Sequence, residues 1–161
     1  VIAIRPALDS DRDAVWAMLE PVIRPGDVFA LPRDMEMESA LAYWFAKGHW
    51  VFVAEEDGRP LGSYYLRANQ QGGGSHVSNC GYVTAQDAGG RGVAGVMCRH
   101  SLEFGKSEGF RAMQFNFVVS TNVAAVHLWL KSGFEVVGKI PQGFLHPVAG
   151  YVDVLVMFRE L

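Results

Sequence analysis

An α+β fold is predicted: a mixed, largely antiparallel twisted sheet of about seven strands with about four helices, in the order β-α-α-β-β-β-α-β-α-β-β. Three observations predict it. Two apolar runs flank Glu56-Asp57-Gly58-Arg59, and Asp-Gly is a strong signal for a tight hairpin turn. Helical patterns alternate with strands only in the second half, which leaves room for one or two parallel crossovers. The chain has 161 residues, half of them apolar, so residues 1–161 read as a single domain with one sizeable core.

The elements follow in order. "IAIRPA" (2–7) reads as the first strand; it lacks the charged region and cleavage site of a signal peptide. Asp9 or Ser10 caps a helix through Glu20, with Val15, Met18 and Leu19 on one face, stopped by Pro21, Pro25 and Gly26. "FALPRDM" is irregular, and a second helix over 35–47 carries Leu41, Tyr43, Trp44 and Phe45 before Gly48 ends it. The hairpin occupies 49–68. A glycine-rich loop, 69–75, leads to the strand "HVSNCGYVTA" (76–85). After "DAGGRGVAGVM" (87–97) a helix runs toward Gly109, and "RAMQFNFVV" (111–119) is a strand. Asn122 caps the helix "VAAVHLWLKS", which Gly133 terminates. "FEVVGKIP" and "YVDVLVMF" close the sheet, joined by a loop over 142–150.

Composition excludes several classes. Lys and Arg number 14 against 17 Asp and Glu, a formal net charge of −3, and no segment concentrates basic residues. That argues against a nucleic-acid surface or a polybasic membrane anchor. No apolar run approaches the roughly 20 residues of a membrane span. Cys80 and Cys98 fit no metal spacing, so no metal is expected, and both read as reduced thiols of a cytoplasmic protein.

Gly90, Gly92 and Gly95 spell G-x-G-x-x-G between a strand and a helix. Exposed backbone N–H groups and a helix N-terminus make an anion site there; the alternative is a tight connection that needs glycine only for its geometry. A dinucleotide site wants a carboxylate about 20 positions on, at the end of the next strand. That strand ends "FNFVVS", so the dinucleotide reading fails. No Walker loop is present either.

Two motifs point to a family. Gly89-Gly90-Arg91-Gly92-Val93-Ala94 matches [QR]-x-x-G-x-[GA] at Gly92 and Ala94, with Gly89 where Gln or Arg is usual. The run from Asn122 through Ala125, Leu128, Trp129 and Lys131 to Gly133-Phe134 matches N-x-x-A-x-x-L-Y-x-K-x-G-F, with Trp129 in place of Tyr. With the element order, the chain resembles the GNAT (Gcn5-related) N-acetyltransferases. The resemblance implies acetyl-CoA as co-substrate and a cleft where the fourth and fifth strands splay. The backbone of Tyr82, Val83 and Thr84 would align the pantetheine arm. The amides of Gly90–Gly95, with Gly89 leading in, would hold the pyrophosphate, and Asn122 would touch the pantetheine arm or the substrate. The resemblance also admits a homodimer.

Acetyl transfer needs a neutral amine, a polarised carbonyl and a proton for the departing thiolate. A covalent route would use Cys80; His76, four residues away, lies roughly 13 Å along a strand and does not reach it. The family's thiolate acid is the Tyr replaced here by Trp129, whose indole N–H donates but is no usable acid. Asn is disfavoured inside strands, so Asn79 and Asn116, with Asn122, are the candidate substrate contacts, against plain structural roles as inter-strand bonds and a helix cap. With "SNCGYVT" and "FNFVVSTNVAA" they are similar to the proline-analogue branch of the family, which implies a small amino or imino acid acceptor. One of Tyr64 and Tyr65 faces the cleft, by strand alternation. Arg33, Glu36, Glu38 and His146 are further candidates by position in the chain. The alternatives to a small-amine acetyltransferase are a peptide or protein acetyltransferase and a non-catalytic CoA-binding sensor.

Overall fold

The computed structural model describes all 161 residues. The chain forms β1 (Ala3–Pro6), a 3-10 turn (Asp9–Asp11), α1 (Arg12–Ile23), α2 (Met37–Trp44), β2 (Trp50–Glu56), β3 (Arg59–Ala68) and β4 (Val77–Thr84). It continues with α3 (Val93–Ser107), β5 (Ala112–Val119), α4 (Val123–Lys131), β6 (Glu135–His146) and β7 (Gly150–Glu160). This is the expected order. The seven strands make one sheet, β1-β2-β3-β4-β5-β7-β6. Only β4 and β5 pair parallel; every other neighbouring pair is antiparallel. No helix is long and apolar enough to cross a membrane.

The hairpin forms as its turn residues dictate. Asp57 and Gly58 have φ of 51° and 76°, the paired left-handed torsions of the turn whose twist suits adjacent strands. Alternation along β3 then sends its side chains to opposite faces. Tyr64 and Leu66 join Met97, Met113 and Trp129 in a core under α3 and α4, while Tyr65 joins Val15, Leu19, Ile23, Leu41 and Trp44 under α1 and α2. Trp44 is fixed there by a buried relay: its Nε1 donates to Ser63 Oγ at 3.0 Å, which donates to the Phe52 carbonyl at 2.8 Å.

Three sequence expectations are corrected. The first helix does not stop before Pro21 but runs through it to Ile23. Proline removes one helical hydrogen bond, yet Ile23 is almost fully buried beside Leu19, and the Arg24 N–H still reaches the Glu20 carbonyl at 3.1 Å. Neither Asp9 nor Ser10 caps it. Asp11 organises the entry instead: its Oδ2 accepts the Leu8 N–H at 2.7 Å, and both its oxygens accept from the Arg5 guanidinium at 2.8 and 2.9 Å. Third, 142–150 is not all loop. β6 continues to His146 across a bulge between Ile140 and Phe144, where Gln142 has φ 52° and donates its N–H to Asp153 Oδ1 at 3.0 Å. β6 is an edge strand, so Pro141 is tolerated there.

Arg5, followed by the Leu8 N–H, holds the Asp11 carboxyl below the usual carboxylate range. A depressed folded-state pKa stabilises above the unfolded value of about 3.9 and is lost as pH falls through the folded value. Asp11→Asn is therefore expected to cost about 1–3 kcal/mol at neutral pH, read by urea unfolding. The gap to wild type should close on acidification toward about pH 2; a gap that persists there contradicts the assignment.

Candidate active site

The parallel ladder between β4 and β5 pairs Val77 with Ala112 and Ser78 with Met113, and then stops. β5 is irregular on its far side as well. Between the pairs Phe115–Met157 and Val118–Leu155, β5 sets Asn116 and Phe117 against the single residue Val156 of β7. Such a bulge bends its strand and increases the local twist. At the vertex, Asn79 Nδ2 donates to the Gln114 carbonyl at 2.8 Å, so a side chain bridges the strands where the backbone ladder has ended. Beyond Ser78, β4 keeps its β3 partner and has no ladder partner on the β5 side. A cavity of about 640 Å³ occupies the gap.

Tyr82, Val83 and Thr84 line this cavity, as do Asn79, Asn116 and Asn122. The three asparagines expected as substrate contacts therefore meet in one place, each already engaged with protein. Asn79 bridges the strands. Asn116 donates to Asn69 Oδ1 at 2.6 Å and accepts from Gln114 Nε2 at 2.9 Å. Asn122 Oδ1 accepts the Ala125 N–H at 3.4 Å as the cap of α4. Each amide still has a second N–H to offer.

Of the glycine run, only Ala94 lines the cavity; Gly89, Gly90, Arg91, Gly92, Val93 and Gly95 do not. Val93 is buried against Gly62 instead. The backbone is open all the same. Gly92 has φ 77°, a torsion that disfavours any side chain, and a Cβ there would meet nothing within 4 Å. The N–H of Val96 makes the first bond of α3, to the Gly92 carbonyl at 3.1 Å, so the N–H groups of Val93, Ala94 and Gly95 stand free at a helix N-terminus. Arg91 turns to an ion pair with Glu56, and Asp87 pairs with Arg59. The hairpin tip thus holds the loop by its side chains.

The α1–α2 face closes the cavity with Phe29 and Leu31 from the irregular segment, and with Tyr43 and Tyr65. The Tyr65 hydroxyl lies 3.0 Å from that of Tyr43, and the His49 ring stacks on Tyr65 at 4.4 Å. His49 Nδ1 is 2.9 Å from the Trp44 carbonyl, and burial lowers the imidazole pKa. Tyr65 lies over its strand partner Gly81: a Cβ on Gly81 would come 2.4 Å from the ring. Alternation left Tyr64 and Tyr65 undecided; the structure puts Tyr65 at the cavity, while the Tyr64 hydroxyl meets His100 Nδ1 at 2.7 Å on the α3 face.

Other candidates fall away. Cys80 lines the cavity, but it is buried in the α3 core beside Leu66, and burial pushes its thiol above the usual value, the reverse of an activated nucleophile. Arg33, Glu36 and Glu38 line no part of the cavity; Arg33 Nε donates to the Arg24 carbonyl at 2.9 Å. His146 closes the β6–β7 turn, its Nδ1 accepting the N–H groups of Val148 and Ala149 at 3.1 and 3.0 Å. The Tyr82 hydroxyl is held in the core by Ser101 Oγ at 2.6 Å. Trp129 is buried on Tyr82 and Phe115, at ring distances of 5.0 and 4.7 Å. Sequence reasoning missed Tyr43 and Arg67. Arg67 was accessible through the hairpin, since it falls two residues after Tyr65 on the same face of β3. No group of three His, Cys, Asp or Glu side chains could hold a metal ion.

Gly81 is required by contact and not by torsion. Gly81→Ala is expected to destabilise the protein by about 1–3 kcal/mol through overpacking against Tyr65. Tyr65→Leu in the same chain should recover most of that loss in thermal unfolding. Additive losses in the double variant would show that the Tyr65 ring is not what the new methyl meets.

The fold is shared with known proteins. A sequence profile of the acetyltransferase (GNAT) family matches residues 16–134. N-acetyltransferase aca1 of Schizosaccharomyces pombe is 32% identical over 94 residues, 58% of this chain and 45% of that protein, so the match spans less than half of that relative. A GCN5-related N-acetyltransferase from Kribbella flavida superposes with a TM-score of 0.94 at 36% identity, covering 99% of this chain and 98% of the other. A GNAT superfamily phosphinothricin acetyltransferase from Sinorhizobium meliloti, solved in complex with acetyl-CoA, shares the fold with a TM-score of 0.86 at 18% identity, covering 99% of this chain and 88% of that one. Motifs, strand order and profile converge: the chain belongs to the acetyltransferase (GNAT) family.

Proposed function

We propose that this chain is an acetyl-CoA-dependent N-acetyltransferase that acetylates the amine of a small molecule, an amino or imino acid, by direct attack in a ternary complex. The observation that carries the reading is the open β5-side edge of β4, which borders a cavity reaching Ala94 at the start of α3. The site residues fit acetyl-CoA. The free N–H groups of Val93, Ala94 and Gly95, with the open backbone of Gly90 and Gly92, suit a pyrophosphate at a helix N-terminus. The backbone of Tyr82, Val83 and Thr84 offers strand-like bonding to the pantetheine arm, and Asn122 offers an amide N–H. When bound, acetyl-CoA supplies an acetyl group already activated as a thioester. The complex of the Sinorhizobium meliloti neighbour with acetyl-CoA supports the assignment. Both cysteines are free, which supports a cytoplasmic setting.

Protons have few places to go. No Asp, Glu or His lines the cavity. Burial raises the Tyr65 hydroxyl pKa, so that hydroxyl stays protonated and serves as a hydrogen-bond donor. The raised Cys80 thiol disfavours an acyl-enzyme. In this reading the acceptor gives its proton to water, its amine forms the C–N bond as the thioester C–S bond breaks, the departing thiolate takes a proton from water, and the protein acts by orienting the acceptor.

Calorimetric titration with acetyl-CoA, followed by a screen of small amines for free-thiol release, tests the function. Binding without turnover on any amine would point to a sensor, and turnover only with peptides would end the small-molecule reading. Gly92→Glu should weaken acetyl-CoA binding on the order of 100-fold or more, by charge repulsion and loss of the left-handed backbone; unchanged affinity removes the pyrophosphate from this loop. The acidic limb of kcat/KM should rise through the acceptor's own amine pKa, about 8–10, and move when the acceptor is changed. A limb near neutrality that ignores the acceptor would reveal a protein base.

A further inference from the structure

Among the residues that line the cavity, one carries a charge: Arg67. The molecule's ion pairs engage Arg5, Arg24, Arg59, Arg91 and Lys139, and Arg67 takes part in none of them. It also makes no side-chain hydrogen bond within the protein and is half-buried. A guanidinium presents five donors in a planar fork that matches a carboxylate. Placing it unpaired on a mostly apolar wall costs solvation. That cost is offset when an anion arrives.

Its position separates it from the pyrophosphate loop. Arg67 is the strand partner of Asn79, at the vertex where β4 and β5 part. Asn79 lies five residues before Thr84, roughly 17 Å along an extended strand, and the glycine run lies beyond that. On the same face of β3, Tyr65 sits two residues earlier and covers Gly81, about 7 Å away along the strand. Asn79 and Asn116 each have a spare amide N–H beside this point. His49 is a titratable group near Arg67; its pKa is lowered by burial and also by the Arg67 charge, so its ring favours the neutral form. Neither Tyr43, Tyr65, Asn79 nor Asn116 carries a charge that would neutralise it.

We infer that Arg67 is the specificity-determining residue at the acceptor end of the cavity, pairing with a carboxylate that the acceptor carries beside its amine. This rests on the acetyltransferase reading and adds to it the group that distinguishes a free amino or imino acid from its neutral derivatives. Arg67 anchors the carboxylate, the apolar wall of Phe29, Leu31 and Tyr43 receives the rest of the molecule, and the amine is left toward Gly81.

The test uses L-proline, L-azetidine-2-carboxylate and L-alanine, each beside its carboxamide, with wild type, Arg67→Met and Arg67→Lys. Acceptor affinity is measured by calorimetry on the CoA-saturated protein, and KM and kcat by thiol release. Wild type should prefer the acids. Arg67→Met should raise the KM and Kd of the acids by about 10- to 100-fold, the range of a charged hydrogen bond. It should leave the acetyl-CoA affinity within about twofold and weaken the carboxamides much less than the acids, because a neutral amide accepts a hydrogen bond from the guanidinium but forms no ion pair with it. Arg67→Lys should recover part of the loss, keeping charge without the fork. Three results overturn the inference while leaving the acetyltransferase intact: equal use of acids and carboxamides by wild type, an equal effect of Arg67→Met on both, or no effect on either. Failure of wild type to bind acetyl-CoA overturns the acetyltransferase reading and this inference with it.

Discussion

The sheet of this protein turns on a parallel ladder that lasts for two residue pairs. Val77 and Ser78 hold β5, and from Asn79 onward β4 has no ladder partner on that side. Unpaired backbone groups inside a protein cost roughly 1–3 kcal/mol each unless something bonds them, so an interior strand does not lose its partner without cause. The cause is distributed. The two-against-one bulge at Asn116 and Phe117 turns β5 along β7. The Asn79 side chain spans the vertex to the Gln114 carbonyl. Two separate cores then fill the opposite faces of the sheet: α1 and α2 pack on Tyr65 and Val83, α3 and α4 on Leu66, Met113 and Phe115. Each face is packed in its own right, and the gap between β4 and β5 stays open.

The electrostatics of the gap follow from where the charges are held. The hairpin tip takes up the charged side chains of the glycine loop through Glu56–Arg91 and Arg59–Asp87. What remains there for an anion is backbone N–H, aligned by the start of α3. At the other end, aromatic contacts fix Tyr65 between Tyr43, Trp44 and His49, and Gly81 is small because that ring lies on it. The apolar wall leaves Arg67 as the one charge lining the cavity. One end of the gap thus presents backbone amides at the start of α3, and the other a single guanidinium.

The elements were legible from local chemistry where local chemistry decides them. Asp57-Gly58 specifies its turn, Asn122 caps α4, and Gly133 ends it with φ 92°. Expectations failed where packing overrode a local signal. Pro21 reads as a stop, yet Ile23 is buried and the helix continues. Gly143 reads as loop, yet an edge strand with a bulge continues through it. The site was legible to the same extent. Asn79 and Asn116 stood out because amides are out of place in apolar strands, and Asn122 as a helix cap within a family motif; all three line the cavity. His146 and Glu36 were candidates by position in the chain alone, and nothing in that position says which way a turn faces.

The sequence by itself determined the family, the element order and the open backbone at the start of α3, because motif spacing, turn residues and capping residues act over a few positions. Only the tertiary structure decided that β4 and β5 separate after Ser78, that Tyr65 and not Tyr64 faces the gap, that burial raises the Cys80 thiol pKa, and that Arg67 is left without a partner. Those outcomes depend on a bulge set by β7, on the side of the sheet each helix covers, and on which charges find each other. They are long-range contacts that no window of the sequence contains.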